Sequence, residues 1–332
     1  MRPFEHLMVQ ASGDAISALT QFDGDTTRLI AGGTDLLPLL KDGLVTVDRL
    51  IDIKPARAMR YLEVEEDGSL RIGALTTLAE IERSAAVAER LPILAQSVAD
   101  AATPQLRAMA TVGGNLLQRS RCWYYRGLFD CWLKGGETCY MRNGENKYAA
   151  IFEQGPCRSA HPSDLAPALV ALDATITLNS ASGARTLPVA ELLAPPTADE
   201  RIEYRLNPGE LITEIRIPAQ SENAHGVYLK AMDRRAWAFA LVSAAAQLTI
   251  EDGTVTHARL TLGGVANVPW RVPAAEALLE GQPLTPELAA QAAERAVQGA
   301  SPLAHNQYKV QLARELARRA ILMAARMWPG NG

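Results

Sequence analysis

All four cysteines of this 332-residue chain lie in one window: Cys122, Cys131, Cys139 and Cys157. Thiols that are gathered in one stretch and absent elsewhere indicate a shared ligand set. Their spacing, C-x8-C-x7-C-x17-C, lacks the C-x2-C pair of zinc ribbons and of bacterial ferredoxins. In a cytosolic chain, four cysteines are more typical of metal or cluster ligands than of disulfides.

Three uses of these thiols are open at this point: an iron–sulfur cluster, a structural zinc ion, or free or disulfide-bonded cysteines. Four thiolates would carry a charge that needs compensation. We interpret His161, which follows Cys157 closely, as a residue that orders the loop rather than as a ligand. Six cations close to the cysteines in sequence are expected to compensate the charge: Arg119, Arg121, Arg126, Lys134, Arg142 and Arg158.

The composition is that of a soluble globular chain, with 48% hydrophobic and 21% charged residues. A formal net charge of -4 and the lack of a long basic block argue against general nucleic-acid binding. No run of about 18 apolar residues predicts membrane insertion, and the N-terminus does not resemble a signal peptide. We therefore expect a cytoplasmic protein, unless a signal-bearing partner exports it.

The order of apolar patterns predicts an α+β chain in three parts. Residues 1–55 alternate strand and helix, as in a small parallel βαβ unit. Residues 56–220 contain a hairpin around Asp67-Gly68, helical patterns over 77–108, and a second hairpin in "TITLNSASGARTLPV". Residues 221–332 contain strands at 227–235, 239–250 and 255–265, the last two joined by Asp252-Gly253, and then three helices.

Two glycine turns and one helix start suggest a site for an anionic ligand. "LIAGGTDLL" places Gly32 and Gly33 between a strand and a helix that Thr34 is expected to cap. "TVGGN", which ends at Asn115, repeats the arrangement, and "HPSDLAPAL" adds a helix start. Glycines let backbone N–H groups approach an anion closely. Neither turn has the pattern of a Rossmann unit or of a phosphate loop.

These motifs, in this order, resemble the flavin-binding subunit of the xanthine dehydrogenase family of molybdenum hydroxylases. "NPGELITEIRIP", "YLKAMDRRAWAFALVSAAA" and "LGGVANVPWRVPAAEALL" extend the resemblance over nearly the whole chain. The resemblance implies a two-part FAD-binding domain of the molybdopterin dehydrogenase and vanillyl-alcohol-oxidase-like type. A C-terminal flavoprotein domain with a small antiparallel sheet and helices would follow it.

The cysteine loop resembles the branch of this family that carries an additional [4Fe-4S] cluster in an insertion, here at about residues 119–160. That branch includes bacterial aldehyde oxidoreductases and 4-hydroxybenzoyl-CoA reductase. The resemblance implies that the four cysteines ligate the cluster. It makes the cluster the favoured use of the thiols.

The resemblance also implies roles for individual residues around FAD. Asp164 would hold the adenine-side ribose, Ile212 would pack against the flavin, and Lys230 would lie near the isoalloxazine carbonyls. Gln105 matches a position near the cofactor. The remaining residues would form the pyrophosphate cradle and its surroundings: Ala31, Gly32, Gly33, Thr34, Asp35, Leu36, Thr111, Gly114 and Asn115.

The function implied by the resemblance is electron transfer within a heterotrimer. Molybdopterin would lie in a large partner subunit and [2Fe-2S] centres in a small one, since this chain offers motifs for neither. An external redox partner such as ferredoxin or NAD would exchange electrons with the complex. The alternative is a stand-alone FAD-dependent oxidase or reductase with a structural zinc or cysteine loop.

Overall fold

The computed structural model describes residues 2–22 and 24–328. Its three sheets are formed by three successive regions of the chain. The fold is α+β, as predicted. The domain boundaries after residues 55 and 220 stay predictions. Within the described residues, no helix combines the length and the apolar character that crossing a membrane requires.

The N-terminal part is a parallel three-stranded sheet with strand order β1-β3-β2. The predicted βαβ unit is therefore confirmed, and an additional strand, β1, pairs along the other edge of β3. The elements of this part are β1 Glu5–Met8, α1 Ser12–Gln21, β2 Thr27–Ile30, α2 Leu36–Lys41 and β3 Arg49–Asp52.

The middle part is an antiparallel sheet with strand order β4-β5-β8-β6-β7, covered by short helices. Both predicted hairpins are confirmed, β4 with β5 and β6 with β7. Its strands are β4 Leu62–Val64, β5 Leu70–Gly73, β6 Thr175–Ser180, β7 Gly183–Pro188 and β8 Leu211–Ile217. Its helices are α3 Leu78–Arg83, α4 Ala85–Arg90, α5 Pro92–Ala99, α6 Pro104–Arg107, α7 Val112–Leu116, α9 Leu165–Ala171 and α10 Val189–Leu192.

The C-terminal part is an antiparallel sheet with strand order β12-β11-β10-β9, packed against helices. Asp252 and Gly253 both have positive φ, 47° and 79°, which is the turn geometry predicted between β10 and β11. The elements are β9 Ala224–Ala231, β10 Val242–Glu251, β11 Thr254–Gly263, β12 Trp270–Arg271, α11 Pro273–Leu279, α12 Pro286–Ala296 and α13 Tyr308–Ala324.

Two predicted strands in the C-terminal part were too long. β9 ends at Ala231 and β10 begins at Val242, so residues 232–241 form a loop instead of extending both strands. Arg234 donates to the carbonyl of Trp237, whose φ of 53° is left-handed. Phe239, at which the second of these strands was predicted to begin, is largely exposed in the isolated chain, as is Trp237 in the same loop.

Helix α9 connects the middle and C-terminal parts. Every residue from Leu165 to Ala171 is buried, as expected for a helix that is apolar on all sides. It packs against α5 on one side and against β10 and β11 on the other. The residue before this helix, Asp164, is thereby fixed at the junction of the two parts.

The cysteine insertion (residues 119–160) contains little regular structure: α8 Trp123–Arg126 and single turns of 3-10 helix at Trp132–Lys134 and Tyr140–Arg142. Buried polar side chains attach it to the C-terminal part. Asn306 donates to the carbonyls of Ala149 and Ala150. Lys309, which is 1% exposed, donates to the carbonyls of Tyr148, Ala149 and Gly264 at 3.2, 3.0 and 2.9 Å.

We expect Lys309→Met to lower the free energy of unfolding by about 2 kcal/mol, because buried carbonyls lose a hydrogen-bond donor. Urea unfolding of the purified chain measures this change. Lys41→Met, at an exposed position at the end of α2, is the matched control. Equal stability of the two variants would show that the Lys309 amine does not hold the insertion in place.

Candidate functional site

A cleft of about 760 Å³ lies where the three parts and the cysteine insertion meet. Its volume is in the range of cofactor sites. The N-terminal part contributes Thr34 and Pro38, and the loop between β9 and β10 contributes Trp237 and Phe239. The middle part and the insertion form most of the remaining wall, including Asn115, Gln118, Arg121, Cys122, Trp123, Met141, Tyr148, His161 and Asp164.

The first glycine turn, Ala31 to Asp35, follows β2 and packs against the segment that leads into the second turn. Gly33 has a φ of +70°, and a Cβ on Gly32 would lie 1.8 Å from the carbonyl oxygen of Met109. Both glycines are therefore required by the backbone. The amides of Gly32, Gly33 and Thr34 donate no hydrogen bond inside the described chain, so they are available to an anion.

Thr34 does not cap α2, in contrast to the prediction. The helix begins at Leu36, with Asp35 in the position before it and no side-chain cap. Thr34 lines the cleft instead. Leu36, the first residue of α2, is partly buried against the core of the N-terminal part.

The second glycine turn and the start of α9 are joined by side-chain hydrogen bonds. Thr111 caps α7, and its Oγ1 accepts from the amide of Gly114 at 3.2 Å. Ser163 Oγ donates to Asn115 Oδ1 at 2.5 Å and accepts from the amide of Ala166 at 3.0 Å. The structure thus brings together the three elements that the sequence singled out.

His161 orders the loop before α9, as predicted. Its Nδ1 accepts a hydrogen bond from the amide of Ser163 at 3.4 Å. Burial lowers the pKa of His161 to about 4, because desolvation disfavours the charged imidazole. His161 is therefore neutral near pH 7.

Asp164 and Lys230 form a buried ion pair. Lys230 Nζ lies 2.9 Å from Asp164 Oδ2 and 2.8 Å from the carbonyl oxygen of Asp100, while Tyr228 donates to Asp164 Oδ1 at 2.7 Å. The Lys230 side chain is 0% exposed. Burial raises the pKa of Asp164, and the Lys230 ammonium counteracts that shift.

The contact between Asp164 and Lys230 affects the roles that were predicted for them at the cofactor. The sequence assigned Asp164 and Lys230 to opposite ends of the cofactor, but they meet at one place. Both carboxylate oxygens of Asp164 already accept hydrogen bonds, so a ribose hydroxyl would have to share one of them. Both roles stay predictions, and of the two side chains only Asp164 is among the described residues that line the cleft.

The predicted residues outside the described cleft wall include Ile212 and Gln105. Ile212 is buried in β8 and belongs to the apolar core of the middle part. Gln105 is exposed on α6, although its neighbour Leu106 lines the cleft. Neither is among the described residues that form the wall of the cleft.

Arg121 is a cleft residue that the sequence did not assign to the cofactor. Its guanidinium lies 2.8 Å from Asp35 Oδ1, donates to Gln118 Oε1 at 3.1 Å, and stands 4.9 Å from the centre of the Phe239 ring. Burial and the neighbouring Arg126 lower the pKa of Arg121 to about 10, and Asp35 opposes this. Asp35 itself faces these arginines, not the cleft.

The four cysteines line a second, small cavity, together with Tyr124, Tyr125, Trp132 and Tyr140. All four thiols are free, with Cys131 and Cys157 buried and the other two half-buried. Cys122 and Met141 line both this cavity and the cleft. The two cavities therefore share a wall.

Backbone amides, more than cations, surround the sulfurs. A hydrogen bond from the Cys157 thiol lowers the pKa of Cys139 to about 6, helped by the amides of Arg158 and Met141. Burial raises the pKa of Cys122 to about 11, although the amides of Tyr125 and Tyr124 oppose it. The thiols thus differ in their readiness to ionise.

Most of the cations expected to compensate the thiolates have other partners. Arg119 pairs with Glu203, and Arg121 and Arg126 pair with Asp35. Arg142 and Arg158 pair with Glu153, and Lys134 donates to the carbonyl of Gly127. Arg142 also contributes a favourable charge to Cys139. The expectation failed because carboxylates within reach bind guanidinium groups strongly.

Within the described residues, no three His, Cys, Asp or Glu side chains meet closely enough to hold one metal ion. A tetrahedral zinc site requires such a meeting point. The described residues thus form no preassembled metal site, and the use of the four thiols stays a prediction.

Comparison with known proteins agrees with this architecture. The family described as the FAD binding domain in molybdopterin dehydrogenase matches residues 2–220, and the CO dehydrogenase flavoprotein C-terminal domain matches residues 227–324. The aldehyde oxidoreductase FAD-binding subunit PaoB of Escherichia coli K12 is 34% identical over 319 residues, which cover 95% of this chain and 96% of that protein.

Solved structures of the same kind cover the whole fold. A chain of carbon monoxide dehydrogenase from Hydrogenophaga pseudoflava superimposes with a TM-score of 0.79 at 26% identity, covering 99% of this chain and 100% of that one. A chain of quinoline 2-oxidoreductase from Pseudomonas putida 86 gives 0.76 at 25% identity, covering 98% and 99%. This chain therefore belongs to the family of FAD-binding subunits of the xanthine dehydrogenase and CO dehydrogenase type.

Proposed function

We propose that this chain is the FAD-carrying electron-transfer subunit of a molybdenum hydroxylase complex. The observation that carries the proposal is the cleft, which lies beside the first glycine turn with its free amides, the second glycine turn, the buried carboxylate of Asp164, and an arginine that shares its carboxylate partner with a second arginine. The free amides and Arg121 suit a diphosphate, and the aromatic side chains of Trp237, Phe239 and Tyr148 suit a planar ring. The residues present thus fit FAD.

The partners we propose are a molybdopterin-binding large subunit and a [2Fe-2S] small subunit. Support comes from the relatives, since one is named a subunit of a dehydrogenase complex and another a medium chain of carbon monoxide dehydrogenase. When bound, FAD exchanges single electrons with iron–sulfur centres and pairs of electrons with other acceptors. An external partner such as ferredoxin or NAD would complete the transfer.

We further propose that the four cysteines hold a [4Fe-4S] cluster. Four free thiols around one cavity, with backbone amides directed at the sulfurs, support this proposal. The rings of Tyr124 and Tyr140 line the cavity and pack against Phe129. Aromatic side chains at this place would restrict the access of water, which tunes the potential of such a cluster. A structural zinc ion is the competing use of the thiols.

We expect the chain, purified anaerobically without partners, to contain about four iron and four acid-labile sulfide atoms and one FAD. Cys131→Ser should lose most of the iron and sulfide, because the thiol is buried and lines the cavity. Ser159→Ala, which removes a hydroxyl 3.2 Å from Cys157 Sγ, should retain both. One zinc ion in place of iron would contradict the cluster and leave the flavin assignment intact.

We expect Lys230→Met to make the flavin midpoint potential more negative by on the order of 30 mV or more, with a smaller effect on FAD content. The reason is that the variant leaves the Asp164 carboxylate buried without its counter-ion, and negative charge disfavours electrons on a nearby ring. Spectroelectrochemical titration of the bound flavin measures the shift.

The double variant Lys230→Met with Asp164→Asn restores neutrality and should bring the potential back towards that of the unaltered protein. Tyr228→Phe, which removes a hydrogen bond to Asp164 and no charge, is the control. Equal potentials in Lys230→Met and the unaltered protein would remove Lys230 from the vicinity of the flavin.

A further inference from the structure

Arg121 occupies an unusual position in the wall of the cleft. Its Nη1 and Nη2 atoms have partners in Asp35 and Gln118, but Nε is buried and has no hydrogen-bond partner among the described residues. A buried guanidinium nitrogen without a partner is costly. An acceptor supplied by a ligand would remove that cost.

The charge around Arg121 is not balanced by the protein. Arg121 and Arg126 both lie 2.8 Å from the same oxygen of Asp35. The other oxygen accepts from the amide of Arg119, whose own side chain pairs with Glu203. One carboxylate thus serves two guanidinium groups, which leaves about one positive charge at this wall.

Two of the other charged pairs at the cleft are balanced. Asp164 pairs with Lys230, and Asp233 pairs with Lys147. Glu145 lies 3.9 Å from His305, and Arg234 donates to the carbonyl of Trp237. The carbonyl does not cancel the charge of Arg234, whereas the excess charge of Arg121 and Arg126 lies next to Asp35, and so next to the first glycine turn.

We propose that Arg121 binds the diphosphate of FAD, opposite the free amides of Gly32, Gly33 and Thr34. A guanidinium presents several donors in a fixed plane and suits two neighbouring phosphates. Phe239, which packs on the guanidinium, keeps that plane at the cleft. Asp35 holds Arg121 in place through its carboxylate and does not itself contact the phosphates. This inference rests on the proposed function, because it assumes that FAD occupies the cleft.

The test is titration of the full-length, FAD-depleted chain with FAD and with ADP, which carries the diphosphate without the flavin. Arg121→Gln should weaken the binding of both ligands by about ten-fold or more. Lys134→Gln removes a positive charge from the same insertion, outside the cleft wall, and should leave both affinities unchanged.

Each outcome decides a different question. Unchanged affinities in Arg121→Gln, or equal losses in Arg121→Gln and Lys134→Gln, would overturn the role of Arg121. Failure of the unaltered chain to bind FAD would instead overturn the proposed function. Should Arg121→Gln not fold, Arg121→Met keeps an unbranched apolar side chain at this position and should show the same loss for both ligands.

Discussion

The buried ion pair between Asp164 and Lys230 fixes the geometry on which the cleft depends. Asp164 precedes α9, which is enclosed by the middle and C-terminal parts, and Lys230 lies on β9 of the C-terminal sheet. Removing two charges from water offsets much of their attraction, so such a pair contributes little net stability. Losing either partner, however, leaves an unpaired buried charge. The pair therefore specifies how the two parts meet more than it stabilises them.

The cysteine insertion shows how a segment with little regular structure can be held in one arrangement. Its attachment relies on Asn306 and Lys309, which are buried and directed at backbone carbonyls of residues 148–150. Its sulfurs rely on backbone amides, since nearby arginines are engaged by Asp35, Glu153 and Glu203. Buried backbone groups need hydrogen-bond partners. Here those hydrogen bonds fix the conformation of the loop, as hydrogen bonds between strands fix the conformation of a sheet.

Local patterns predicted the fold well wherever a local rule decided the structure. The hairpins at Asp67-Gly68 and at Asp252-Gly253 were predicted correctly, because a tight turn with positive φ accepts few residue types. Residues 232–235 and 239–241 of the loop were predicted as strand, because a local apolar pattern does not reveal whether a neighbouring strand is present. Asp164 and residues of both glycine turns line the cleft, whereas Ile212 is a core residue of β8. Their roles at the cofactor stay predictions.

The role proposed for Arg121 could not be predicted from the sequence, because it depends on which charged groups surround this side chain in the folded protein. Along the chain it is one of six cations near the cysteines, and only the fold shows that it shares the single carboxylate of Asp35 with Arg126. The next residue, Cys122, lines both the cleft and the four-cysteine cavity. If the thiols hold a cluster as proposed, consecutive residues contact the two redox sites, and a single layer that includes Met141 separates them. The insertion then does more than add a second centre, since it also completes the wall against which the flavin cofactor binds.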